Sequence, residues 1–269
     1  MKPVPLAAAL LVLVFARELA TASYADETYT VSGSDDFSIG SGDIRSEVSY
    51  RGTQTLHIGR HGAGTRLRAR VAYTRDDAGA RSEATGEYVT DLSPSGETLA
   101  TADHDPDNLT VLDQPFAAEL DRQTLHDLGH LRGPLPFDFP SPFTRSSLHG
   151  YLQHIAGTKV AGRRAIGVRF EAAGPMHGTI PDRPGLTLAG KIAMRGTAFY
   201  DSISATLLAL DTTVTVSGNV SNRSRKDPVT IVYSRTIRRA ATPAAGGSRP
   251  PSGERRGAIT RLRPSRPSA

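Results

Sequence analysis

Between Leu186 and Ile237, apolar and polar residues alternate through three long segments separated by short turns. Leu186, Leu188, Ile192 and Met194 alternate with Thr187, Lys191, Arg195 and Thr197. Leu208, Leu210, Val214, Val216 and Val220 then alternate with Asp211, Thr213, Thr215, Ser217 and Asn219. Finally, Val229, Ile231, Tyr233 and Ile237 alternate with Thr230, Ser234, Thr236 and Arg238, with Val232 as the exception on the polar side. A period of two sustained this long describes strands with one buried and one wet face. Short turns between such strands make an antiparallel meander.

The same register places Gly190, Gly196 and Gly218 on the apolar face. Glycine weakens a strand unless a bend or a close approach needs the missing side chain. Straight segments of about 15 residues would run about 50 Å, well beyond an ordinary strand, so strong curvature is expected. The expected fold is mainly β: a strongly curved antiparallel sheet or half-open barrel with one short helix on its concave side. That helix is expected between Glu119 and Leu131, with Asp121 as N-cap, Gly129 as its stop, and Leu120, Leu125, Leu128 and Leu131 along one face.

Shorter alternations precede it. Ile44, Ser46, Val48 and Tyr50 form one, and Leu67, Ala69, Val71 and Tyr73 form another whose opposite face carries Arg66, Arg68 and Arg70. Pairing of these arginines with Glu83, Glu87 and Asp91 is expected to make an ordinary solvated sheet face. After the helix, Pro134, Pro136, Pro140 and Pro142 interleave with Leu135, Phe137, Phe139 and Phe143. Proline at alternate positions excludes a central strand and favours an extended connection. A hairpin follows, with strands near Tyr151 to Ala161 and Arg164 to Ala172.

The ends differ in composition. Lys2 precedes the apolar run Leu6 to Ala16, and small residues Ala20-Thr21-Ala22-Ser23 follow. This order is that of a secretory signal peptide, so residues 1–22 are expected to be a signal, 23–240 a single β-rich domain, and the product soluble and extracytoplasmic without a transmembrane anchor. Residues 241–269, rich in Pro, Gly, Ser and Arg, are expected to be a disordered basic tail capable of weak contact with anionic surfaces. The net charge of +5 resides mainly in that tail, which leaves the body near neutral and without a whole-domain footprint for nucleic acid.

The chain has no cysteine, so disulfides and thiolate metal sites are excluded. Tryptophan is absent and aromatics make up 6%, which argues against a surface that stacks carbohydrate rings. In His126-Asp127-Leu128-Gly129-His130 two histidines share the helical i, i+4 spacing of a zinc site, but Asp stands where a general-base Glu would, and Gly129 is expected to end the helix before His130. Asp103-His104-Asp105-Pro106-Asp107-Asn108 starts like a calcium loop but has Asn108 at its sixth position and Gln114 at its twelfth, so a polar turn is expected. No nucleophile elbow, phosphate loop or dinucleotide fingerprint is present. The expectation is a protein that is not an enzyme and uses no cofactor or metal.

The signal segment, the curled sheet, the short helix and the hairpin Gly157-Thr158-Lys159-Val160-Ala161-Gly162-Arg163-Arg164 resemble the bacterial lipoprotein- and lipid-carrier superfamily of LolA, LolB and LppX type. The resemblance covers about Glu27 to Arg239 and implies a half-open barrel closed by helices around an apolar cavity. This chain differs in having one clear helix and little aromatic lining. Two functions are expected. One is an exported binding protein carrying a lipid or other apolar ligand in the concavity, at Gly190, Met194, Gly196, Leu208, Leu210, Gly218, Phe137 and Phe139. The other is a non-catalytic envelope or structural domain with a fully packed core.

Overall fold

Alternation on this scale resolves into strands wherever two of them can share hydrogen bonds. The computed structural model describes residues 26–40, 44–93, 98–109, 122–131, 133–141, 147–179, 185–222 and 225–240. The expected signal segment and tail, together with Leu120, Asp121 and Phe143, lie outside them. In chain order the elements are β1 (Glu27–Ile39), β2 (Ile44–His61), β3 (Gly64–Asp77), β4 (Ala80–Leu92), β5 (Thr98–Asp103), α1 (Arg122–His130), β6 (Leu135–Pro140), β7 (Ser147–Val160), β8 (Arg163–Thr179), β9 (Thr187–Asp201), β10 (Leu207–Ser221) and β11 (Lys226–Arg239).

All eleven of these strands form one antiparallel sheet in the order β5-β4-β3-β2-β1-β11-β10-β9-β8-β7-β6. Each half is a meander in sequence order, and the halves join where β1 pairs with β11, from Tyr29 opposite Arg239 to Ile39 opposite Val229. The sheet is not closed: β5 and β6 are its two edges. Pro136 and Pro140 fit the β6 edge because a proline there forfeits no ladder bond. The expected extended connection is thus an edge strand.

Register sorts the side chains onto two faces. Val31, Ile237, Leu210 and Ala198 follow one another across β1, β11, β10 and β9, and all are buried. This apolar face supplies a cluster running from Leu67 and Ala69 on β3 to Leu148 and Leu152 on β7. α1 packs against β7 and adds Leu125 and Leu128, which are 2% and 0% exposed. A second cluster, formed by Val48, Tyr50, Val71 and Tyr73, is capped by Leu109 from the segment after β5.

Three local details depart from expectation. Gly129 does not stop α1: Leu131 N–H still donates to Asp127 O at 3.2 Å, so the helical ladder passes the glycine. Leu131 itself stays 46% exposed and does not join Leu125 and Leu128. At the start of β10 a register shift between Leu207 and Ala209 places Leu207, and not Leu208, in the main cluster.

The expected inward glycines sit where strands crowd. Gly218 lies directly opposite Gly190, and a Cβ on either would run into the other strand's backbone. Around a glycine of α1 there is no such crowding: nothing lies within 4 Å of a Cβ built on Gly129. Gly190→Ala should therefore lower unfolding free energy by about 1–3 kcal/mol, as overpacking does. Gly129→Ala should raise it by about 0.5–1 kcal/mol through helix propensity. Urea denaturation of the two variants measures both signs.

Candidate functional site

A charged residue on the apolar face must bring its own partners, since burying an unpaired charge is expensive. Arg235 occupies such a position on β11, between Tyr233 and Ile237, with its side chain 0% exposed. Its Nη1 donates to Asp35 Oδ1 at 2.6 Å, to Ser34 O at 3.1 Å and to Ser234 O at 3.0 Å. Its Nη2 donates to Asp107 O at 3.0 Å, and the guanidinium lies over the Tyr50 ring, 5.1 Å from the centroid.

Asp107 belongs to the turn after β5, and its carboxylate is gripped by the sheet. The Tyr73 hydroxyl donates to Oδ2, and Arg75 Nε lies 3.6 Å from Oδ1. Tyr50 Oη sits 2.9 Å from Asp35 Oδ2 and 3.3 Å from Asp107 Oδ1, so one hydroxyl proton lies between two carboxylates. Burial raises the Asp35 pKa above the usual carboxylate value, and the nearby Arg235 charge only partly opposes it. Burial pushes the Tyr50 and Tyr73 hydroxyls far up, helped by Asp35 and Asp107 at Tyr50 and by Asp107 and Asp105 at Tyr73, and burial pushes Tyr233 up to about 12. The turn itself is polar as expected: Asp105 N–H donates to Asp103 Oδ1 and Asn108 N–H to Asp105 O. No nucleophile–base pair emerges from this cluster. Its evident role is to latch the 104–109 turn onto the seam.

The opposite face carries a cavity of about 940 Å³. It follows the band of strands centred on the inward-register row Tyr50, Gly33, Arg235, Thr212, Gly196 and Phe170. Flanking that row on the polar face are two more. Arg51, Ser32, Thr236, Asp211, Thr197 and Arg169 stand side by side across β2, β1, β11, β10, β9 and β8. Ser49, Ser34, Ser234, Thr213, Arg195 and Glu171 make the next row. The cavity opens on this polar face, because Ile155 and Phe199, which meet over Gly167, line it while their apolar-face neighbours Val168 and Ala198 do not.

Its floor is thus short hydroxyl side chains and its walls are longer ones. Of the two lining carboxylates, Asp211 is held by Arg238 through Nη2 at 2.8 Å to each oxygen, and Glu171 accepts from Tyr151 Oη at 2.8 Å.

Of the residues expected to hold an apolar ligand, only Gly196 lines this cavity. Met194, Leu208, Leu210 and Phe139 are 0–2% exposed. Phe137 packs against the main cluster, 4.8 Å from the Phe139 ring. Phe170 reaches the space above Gly196, where a Cβ would meet Cζ at 2.5 Å. His126 and His130 are both exposed on α1 with rings 4.3 Å apart, and His130 Nδ1 bonds to His126 O. Among the described residues no three His, Asp or Glu side chains converge as a metal site. The basic face of β3 is paired as expected, Arg66 with Asp91 and Arg70 with Glu87, each at 2.6 Å.

Sequence reasoning missed the Arg235 cluster and the hydroxyl band. The signal for the first was present, since Arg235 and Asp35 fall in the inward register of otherwise apolar strands. Neither protein-family models nor curated proteins match this chain. Among the described residues no helix is long and apolar enough to cross a membrane.

Asp35 can neutralise itself by taking a proton, and Arg235 cannot. Asp35→Ala should therefore cost about 3–5 kcal/mol at pH 7 by stranding a buried cation, and Arg235→Met should cost less. In Arg235→Met the Asp35 pKa should rise further, because the one opposing charge is gone. A carboxyl raised in the fold binds its proton more tightly there than in the unfolded chain. The variant should thus be most stable near pH 4 and lose stability as pH rises through the folded value. Urea midpoints from pH 4 to 8 test this.

Proposed function

We propose that the protein is an extracytoplasmic, non-catalytic binding protein built as a strongly curved half-open barrel, and that it binds a polar ligand in the cavity on the sheet's outer face. The observation that carries this reading is the cavity of about 940 Å³ with its two rows of polar side chains. The depression is largely open to solvent, so it suits an extended ligand lying along the surface, and its volume is of the order of ligand sites. Eight of its lining residues are Ser or Thr, each offering both a donor and an acceptor.

Support for the curvature comes from the apolar side. The buried cluster on that side runs along the sheet from β3 to β7, strand to neighbouring strand. Strands also crowd at Gly190, Gly196 and Gly218 on that same face, which is where bending toward it would bring them together. α1, covering Leu125 and Leu128 there, lies on the inner side in this reading.

A lipid held on that inner side would have to displace side chains that are already enclosed, Met194, Leu210 and Phe139 among them. The polar cavity needs no such displacement. The cleft, not the core, is therefore the preferred site.

Thr213→Trp fills the floor of the cavity from the wet face and should leave the fold intact. Calorimetric titration of wild type with a panel of soluble neutral and acidic oligosaccharides, with a fatty acid as control, should find binding that Thr213→Trp weakens at least tenfold. Uptake of the fatty acid alone, equally by both proteins, would overturn the reading.

A further inference from the structure

The charges around the cavity are unevenly committed. Four arginines and two carboxylates line it. Arg235 is bound to Asp35, and Asp211 is bound to Arg238 from outside the lining. Glu171 accepts a hydrogen bond from Tyr151 and lies opposite Arg195 in the ladder. Arg51, Arg169 and Arg195 have side chains on the exposed face, and among the described residues none forms an ion pair. The cavity is thus a hydroxyl floor bounded by three exposed guanidinium groups that form no ion pair among the described residues.

Resting on the reading of this cavity as the binding site, we propose that its ligand is an extended anionic polyhydroxy chain lying across the strands. Arg169 and Arg195 hold its charged groups at one end, and Arg51 holds them at the other. A guanidinium presents a planar fork that matches a carboxylate or phosphate. Ser32, Ser34, Thr213 and Thr236 between them are short enough to leave the trough open and give hydrogen bonds of either sense to ligand hydroxyls.

Arg51 and Arg169 stand in one cross-strand row, five inter-strand steps apart. At about 4.8 Å per step the path along the sheet between them is about 24 Å. A single sugar cannot bridge that distance, whereas a chain of several units can. Bare single-stranded nucleic acid fits poorly, because its recognition depends on aromatic platforms for base stacking. Here the one aromatic ring on the wet face of the lining is Phe199, at the Arg169 end. The chemistry is shared by oligosaccharides of acidic sugars and by polyol-phosphate oligomers.

The test uses the full exported chain with oligogalacturonates, glycerol-phosphate oligomers and neutral malto-oligosaccharides, each in a short and a long form, titrated calorimetrically. At least one acidic series should bind about tenfold more tightly than the neutral one and weaken as salt rises. Whichever series binds identifies the source of the charge. Arg169→Gln and Arg195→Gln should each weaken short and long forms alike by about tenfold, while Arg51→Gln should weaken only the form long enough to span. Equal binding of neutral and acidic chains, or an unchanged triple Gln variant whose binding Thr213→Trp still abolishes, would overturn the charge inference and leave the cavity reading standing. No binding of any series would overturn both. Far-UV circular dichroism of each variant confirms that these exposed replacements leave the sheet intact.

Discussion

The pairing of the first strand with the last is the contact on which the rest of this structure depends. Without it the two meanders would be separate sheets, one of five strands and one of six, each with an additional bare edge. The seam is fastened from its buried side by Arg235, which joins Asp35 on β1 to its own strand and to the turn carrying Asp107. A buried ion pair is not in itself evidence of high stability, since desolvation offsets most of the attraction. Its effect here is to define position: an arginine with acceptors on three segments admits one arrangement of those segments.

That arrangement leaves the two faces with different work. The apolar face is closed by the chain's own groups, with α1 and Phe139 over one half and Leu109 over the other. Around the seam the opposite face carries short polar side chains at regular spacing. The cavity lies directly behind the Arg235 row, and the same seam that positions the latch aligns the hydroxyls of β1 with those of β11.

The meander from Leu186 onward was legible because period two needs only local information. Leu188, Ile192, Met194, Leu210, Val214 and Ile237 are all buried as their register implies. The short helix and the buried Leu125 and Leu128 were legible from the equally local three-residue spacing of those leucines. What a single strand cannot disclose is its neighbour. Ser34 and Ser234 read as unremarkable polar positions until β1 and β11 are placed side by side, and the band of hydroxyls is a property of that placement. The irregularity at Leu207 shows a smaller version of this limit, since two adjacent leucines give alternation no means of choosing which one points inward. Phe137 and Phe139 were expected on an extended connection, and their strand character depended on β7 being available as a partner.

The seam also dictates an order of events in making the protein. Asp35 and Arg235 are 200 residues apart in the chain, so the contact between them closes a loop that contains nearly every other element. Contacts between neighbouring strands of each meander can form while the chain is still incomplete, whereas closure must wait for the final strand and carries the entropy of the whole loop. Until then β1 presents an open edge that only its own distant end can satisfy correctly. A chain arranged this way stays unfinished for as long as its last strand is withheld, so its final shape is fixed only when the C-terminal strand becomes available.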